Sequence, residues 1–394
     1  MKIAILTSGI LPIPAIRNGA VENLIDAYLA YNDQYRLHDI TVYSIKSAVP
    51  RSHPALQSNV NHYRYIDGSS GIARLRKWLY MKKHGWKEYY NYNIEYFYER
   101  VAHQLKRHAY DVIIIENRPG FAVKLQQLRL KAKLVYHLHN DFLNNTTNAY
   151  EEIYRAASLI INVSDFITSR VRTIAANDTK CRTVYNGIDI QRFNEALPLD
   201  RKEVGIDNND FVVVYSGRLN KEKGILELVR AIALLNDIPK LKLLIIGASF
   251  YGQDEAPTQF VRELRDAAEP IHDKVVFTGF IDYAQIPSYL KMADVAVVPS
   301  MWEEPFGLTV VEAMAAGLPL ITTRSGGIPE ICEGMATIVN KENIEGNLAN
   351  AITDFYKHPE ERKQISKKLL EQSKLFNKET YARNFFKAIE DGLQ

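Results

Sequence analysis

Phe211-Val212-Val213-Val214-Tyr215-Ser216-Gly217-Arg218-Leu219-Asn220-Lys221-Glu222-Lys223-Gly224 sets the class of the fold. Its apolar, β-branched start, Phe211–Tyr215, reads as a strand covered on both faces. Ile225–Leu235 then reads as a helix, so the polar stretch between is a strand-to-helix loop. Arg218 and Lys223 place two cations in that loop, at a strand's carboxyl end, beside a helix start. Such an arrangement suits a diphosphate, although solvated surface cations are the commoner outcome for a loop like this. The glycine spacing and terminal Lys-Ser/Thr of a Walker loop are absent.

The same alternation runs outward in both directions. Downstream, Leu241–Ile246, Lys274–Thr278, Asp294–Pro299 and Leu318–Thr322 read as strands with helices between. Upstream, the strand readings are Lys2–Thr7, Ile40–Ile45, Asp111–Ile115, Lys133–Leu138, Leu159–Val163 and Arg182–Tyr185. Val21, Leu24, Ile25, Tyr28 and Leu29 form one apolar stripe of a first helix. Asn186-Gly187-Ile188-Asp189 through Pro198 is turn-rich and closes the first half. The prediction is an α/β protein of two facing Rossmann-like domains with parallel sheets and a cleft between them. The domain spans are 1–190, 191–377 and a terminal helix over 378–394 that packs back on the first domain. Tyr381, Phe385, Ala388 and Ile389 share one side of that helix.

A chain of 394 residues suits two domains, and 46% apolar with 24% charged residues is a globular composition. Two distant cysteines, Cys181 and Cys332, suggest free thiols in a reducing compartment. A strand beginning at Lys2 leaves no signal peptide, and no apolar run nears the ~18 residues of a membrane span. Those features predict a cytoplasmic protein. Lys and Arg number 25 against 16 Asp and Glu in residues 1–190, and 24 against 30 in the rest. The opposite signs suggest an anionic ligand or surface for the first half, with random surface scatter the alternative.

Glu303-Glu304-Pro305-Phe306-Gly307-Leu308-Thr309-Val310-Val311-Glu312-Ala313-Met314-Ala315-Ala316-Gly317 is the richest segment. Pro305 suits a helix's first turn, leaving the Phe306, Gly307 and Leu308 amides at the positive end of the dipole. Glu304 stands at the mouth, and Glu312 two turns into the helix, unless it is merely solvated. Asn18-Gly19 opens the first helix. Tyr136-His137-Leu138-His139-Asn140-Asp141 ends a strand, with no third ligand spaced for zinc. A hydrogen-bonded structural role for these histidines is equally open.

Arg218 with Lys223-Gly224, Glu304-Pro305-Phe306-Gly307 with Glu312-Ala313-Met314-Ala315, and Gly326-Gly327-Ile328-Pro329-Glu330 resemble the retaining GT-B glycosyltransferases of family 4. The resemblance spans nearly the whole chain, weakens between Pro50 and Arg107, and replaces the family's usual glycine pair with Asn18-Gly19. It implies a catalytic set of Arg218, Lys223, Glu304 and His139. Arg218, Lys223 and Gly217 would hold a nucleotide diphosphate; Gly19 would approach it from the first domain. Glu312 would bind the ribose, Glu304 with the backbone of Phe306, Gly307 and Leu308 would grip the sugar, and Thr309 is a further nucleotide-sugar-binding residue. The base would lie near Gly279, Phe280 and Ile281. The resemblance also implies retention of configuration, by a same-face reaction, with neither metal nor cofactor. UDP is expected from family frequency. The acceptor would be a glycan or lipid-linked sugar in polysaccharide or glycoconjugate synthesis.

Residues 74–98 carry six cations between Arg74 and Lys87, interleaved with Trp78, Tyr80 and Trp86. That pattern fits an anionic membrane surface, or an ordinary amphipathic helix against the core. Nucleic acid is not an expected partner, because the second half is acidic and shows no binding module. A sugar-nucleotide epimerase, a phosphorylase lacking a recognisable cofactor-lysine context, and a non-catalytic sugar-binding or chaperone subunit are the competing readings. A dinucleotide oxidoreductase would need Gly-x-Gly-x-x-Gly after Lys2–Thr7.

Overall fold

The computed structural model describes residues 1–16, 19–46, 49–50, 52–85, 89–249 and 258–394, so Asn18, Trp86 and Lys87 lie outside the described residues. The chain forms two units, Met1–Asn186 with Lys378–Gln394, and Gly187–Asn377.

The first unit holds a seven-stranded sheet of order β3-β2-β1-β4-β5-β6-β7. Its strands are β1 (Lys2–Leu6), β2 (Asp39–Ile45), β3 (Asn61–Ile66), β4 (Val112–Glu116), β5 (Lys133–Leu138), β6 (Leu159–Asn162) and β7 (Cys181–Thr183). The second unit holds a six-stranded sheet of order β10-β9-β8-β11-β12-β13. It is built from β8 (Phe211–Ser216), β9 (Leu241–Ile246), β10 (Val275–Gly279), β11 (Val295–Val298), β12 (Leu320–Thr323) and β13 (Thr337–Val339). Every strand pairing in both sheets is parallel. Burial on both faces explains the uninterrupted apolar runs Val112–Ile115 and Val212–Val214, each at most 1% exposed.

Two strands escaped the sequence reading. β3 reads Asn-His-Tyr-Arg-Tyr-Ile and alternates in burial, as an edge strand does; β13 has only 3 residues. Among the described residues no helix is long and apolar enough to cross a membrane.

The helix Lys378–Gly392 packs against the first helix, Ala20–Tyr35, inside the first unit. Tyr28 stacks on Phe385 with ring centroids 4.4 Å apart, and Phe386 meets the same ring edge-on at 6.0 Å. Tyr28, Phe385 and Ile389 are fully buried. Phe385→Ala should destabilise the first unit by about 3–5 kcal/mol, read as a lowered urea midpoint followed by near-ultraviolet dichroism.

Candidate active site

In the second sheet the strand order reverses between β8 and β11, which pair directly through Val213–Val295 and Val214–Ala296. Loops leaving neighbouring parallel strands on either side of such a reversal open a crevice at the carboxyl edge. The loop after β8 runs through Gly217 to a single 3₁₀ turn, Lys221–Lys223. The Asn220 side chain caps it by accepting the Lys223 amide at 3.2 Å. Gly224 then adopts φ 70, and a Cβ there would overlap the Pro299 carbonyl oxygen. The Glu222 carbonyl accepts the amides of Met301 at 2.9 Å and Trp302 at 3.3 Å. Backbone therefore lies on backbone, and the loop after β8 is locked to the loop after β11.

This docking carries Lys223 to Glu304. The ammonium lies 2.5 Å from Glu304 Oε1, which also accepts the Ser300 hydroxyl at 2.8 Å. Glu304 is 6% exposed, so its carboxylate needs both donors. The Trp302 ring covers Lys223, with the ammonium 5.6 Å from its centroid. Gly326, at φ 52, holds Glu304 from behind: a Cβ would strike the Glu304 backbone, and Gly327 N–H donates to the Glu304 carbonyl at 2.8 Å. Arg218, on the same loop as Lys223, is exposed and has no hydrogen bond or ion pair from its side chain to another described residue. Its carbonyl accepts the Tyr215 hydroxyl at 2.8 Å.

Pro305 precedes the helix rather than opening it. The helix runs Leu308–Ala315 with Gly307 as its N-cap at φ 115. Its first amides, from Leu308 and Thr309, come before any intrahelical acceptor. Phe306 turns its ring into the core at 2% exposure, against Phe376 at 5.7 Å. Glu312 lies a little over one turn into this helix, not two, and is 7% exposed rather than solvated. The Tyr283 hydroxyl donates to Glu312 at 3.0 Å, and the Arg192 guanidinium lies 5.3 Å over the Tyr283 ring. Burial pushes the Glu312 carboxyl up to about 7, against the lowering effect of the Tyr283 hydrogen bond and Arg192. Half-buried Phe280 and Ile281 follow the edge strand β10, next to Tyr283 in sequence.

In the first unit β4 and β5 place Glu116 beside His137 in register. Glu116 Oε2 receives His137 Nδ1 at 3.0 Å and His139 Nε2 at 2.9 Å, while Oε1 accepts the Tyr28 hydroxyl at 2.8 Å. All are buried. Burial alone would raise the Glu116 carboxyl, but the two imidazoles outweigh it and hold it near 2. Burial lowers His139 to about 4. Glu116 is a third possible metal ligand that the sequence spacing did not reveal, with its oxygen and the two ring nitrogens within 4.8 Å of one another. As it stands, three hydrogen-bond donors occupy its carboxylate. Gly19 N-caps the first helix, and the Glu22 side chain folds over it, 5% exposed and raised in pKa by burial.

Tyr283, Ser300, Trp302 and Glu116 were not singled out from sequence. Glu116 was the most accessible of them, as the one charge directly after the apolar run Val112–Ile115.

Residues 198–371 match the family described as Glycosyl transferases group 1, and residues 34–192 match Glycosyltransferase Family 4. The chain belongs to the group 1, family 4 glycosyltransferases. This glycosyltransferase is 29% identical over 383 residues to the putative glycosyltransferase YtcC of Bacillus subtilis (strain 168), covering 93% of this chain and 86% of that protein. It is 27% identical over 387 residues to Spore coat protein SA of the same organism, covering 93% of each. Its fold matches Anabaena Alr3699/HepE solved in complex with UDP (TM-score 0.75, 22% identity, 99% and 100% of the two chains). It also matches a sucrose-phosphate synthase from Thermosynechococcus elongatus (TM-score 0.74, 21% identity, 99% and 98%). These likenesses carry the two-sheet GT-B architecture, and the family membership makes the chain a transferase.

A buried carboxyl whose folded pKa is raised binds more protons folded than unfolded. Glu312 therefore makes the second unit of this glycosyltransferase lose stability as pH rises from about 4.5 toward about 7. Glu312→Gln should flatten that fall, by up to a few kcal/mol given about 1.4 kcal/mol per pKa unit. Melting temperatures of both proteins between pH 5 and 8 would read it.

Proposed function

We propose that this glycosyltransferase moves a hexosyl group from a UDP-sugar to a hydroxyl of a glycan or lipid-linked acceptor in polysaccharide synthesis, retaining anomeric configuration and using no metal. The observation that carries this reading is Lys223, fixed 2.5 Å from Glu304 at the reversal of the second sheet, with Arg218 exposed on the same loop. Two cations at one strand end meet the need of a departing nucleotide diphosphate, which gains negative charge as the sugar–oxygen bond breaks. HepE, solved with UDP and with UDP-glucose, supports UDP as the nucleotide.

In this scheme Arg218 and Lys223 hold the diphosphate, with the Leu308 and Thr309 amides and the Phe306 and Gly307 backbone facing the ligand. Glu304 accepts hydroxyls of the transferred sugar, and Glu312 those of the ribose. Phe280 and Ile281 flank the base. Gly217 keeps the loop close to the phosphates. Within the first unit, Gly19 and His139 are the candidate ligand-contacting residues, His139 toward a hydroxyl. The acceptor oxygen bonds to the anomeric carbon on the face from which the phosphate oxygen departs, and that phosphate oxygen takes the acceptor's proton. Lys223→Ala should lower kcat/KM with UDP-glucose by about 10²–10³, in a protein that still melts cooperatively. Undiminished turnover would remove the assignment. A thermal-shift comparison of UDP-, GDP- and ADP-glucose tests the base, since saturation at a hundred times Kd adds about 2.7 kcal/mol.

The helix Gly71–His84 supports a peripheral position at the inner, anionic face of a membrane. Ala73 and Met81 are buried, but Ile72, Leu75, Trp78 and Leu79 are 66%, 59%, 50% and 52% exposed. Arg74, Arg76, Lys82 and Lys83 are exposed around them. An ordinary core-facing helix would bury such residues; basic residues near an anionic surface contribute about 1 kcal/mol each. Sedimentation with phosphatidylglycerol vesicles should carry the protein down at low salt, and Ile72→Ser with Leu79→Ser should release it. Equal recovery on phosphatidylcholine alone, or none on either, refutes the membrane role.

A further inference from the structure

The first sheet has its own reversal, between β1 and β4, and the loop leaving β4 there carries a cation that the scheme above does not use. Asn117 takes left-handed backbone at φ 57. Its side chain accepts the His139 N–H at 3.1 Å, and its own N–H donates to the His137 carbonyl at 2.8 Å. These two bonds tie the loop to β5 and fix where Arg118 begins. The Arg118 guanidinium lies 5.6 Å from the Phe142 ring, which is 42% exposed. The charge also acts on the Tyr98 hydroxyl, which donates to the Thr7 carbonyl just past β1 at 3.1 Å. Arg118 thus stands at the edge where β1 and β4 part, half-buried.

Among the described residues no carboxylate pairs with Arg118, and its buried Nε has no hydrogen-bond partner. The acids around it are engaged elsewhere. Asp141 takes Arg170 at 2.7 Å and the Asn144 amide at 2.8 Å. Glu116 takes His137, His139 and Tyr28, and Glu95 takes Lys124. A partly desolvated guanidinium with an orphaned donor is costly unless an anion completes it, and its planar fork suits a phosphate or carboxylate. The exposed Phe142 ring beside it offers a flat apolar face for a sugar ring.

We propose that Arg118 and Phe142 form an anion subsite at the carboxyl edge of the first sheet, where Arg118 pairs with the phosphate or carboxylate of an acidic acceptor. The acceptor's role rests on the glycosyl-transfer reading; the subsite itself does not. Calorimetric titration at low salt, with and without saturating UDP, tests it with glucose 6-phosphate, glucuronate, farnesyl diphosphate and neutral glucose. At least one acidic probe should bind tenfold or more tighter than glucose, with UDP present. Preference for the sugar acids names an acidic glycan; preference for farnesyl diphosphate names a lipid diphosphate headgroup. Arg118→Ala should erase the margin, Arg118→Lys restore only part of it, and Phe142→Ala, at an exposed position, weaken the same probes severalfold. Acidic probes that bind no better than glucose, or that bind Arg118→Ala as well as the parent when both melt alike, overturn the proposal. Because the titration needs no turnover, it remains decisive even where the donor assignment fails.

Discussion

Parallel strands all deliver their carboxyl ends to one edge of the sheet, and this constraint gathers the chemistry of the protein. In the second unit β8 and β11 are neighbours in space although 78 residues separate Glu222 from the Ser300 hydroxyl that lies near its carbonyl. Their loops meet so closely that Gly224 tolerates no side chain, and Gly326, on the loop after β12, abuts the Glu304 backbone just as closely. Lys223 and Glu304 are consequently positioned by backbone packing rather than by their own attraction. The ion pair then satisfies a carboxylate that the fold has already buried.

Three buried glutamates have three different sets of neighbours. Glu116 sits among two imidazoles and a phenol and stays ionised. Glu304 has an ammonium and a hydroxyl at hydrogen-bonding distance. Glu312 has one phenol and a cation acting through an intervening ring, and its carboxyl rises to about 7. Near neutrality it is divided between charged and neutral forms, able either to accept or to donate a hydrogen bond.

Most strands could be read from β-branched runs, because central parallel strands are apolar on both faces and announce themselves locally. β3 hid because an edge strand keeps polar residues on its open face, as His62 and Arg64 are here. The side-chain partnerships were less legible. His137 and His139 stood out, but Glu116 was left beyond the end of its strand, and its pairing with them depends on the β4–β5 register, which no local pattern encodes. Likewise, Glu312 on a short helix resembled any solvated glutamate until packing enclosed it. The resemblance to a family placed Lys223 and Glu304 in one site; only the β8–β11 adjacency shows how residues 81 positions apart touch.

The terminal helix has a consequence for how the molecule is made. Its aromatic face covers Tyr28 and, through Phe385, His137 at 4.8 Å. A ribosome delivers those residues only after the whole stretch 187–377 has emerged. The unit begun first is therefore completed last, and nascent chains pass through a stage in which the later unit has all its residues while the earlier one still shows water an unfinished apolar wall.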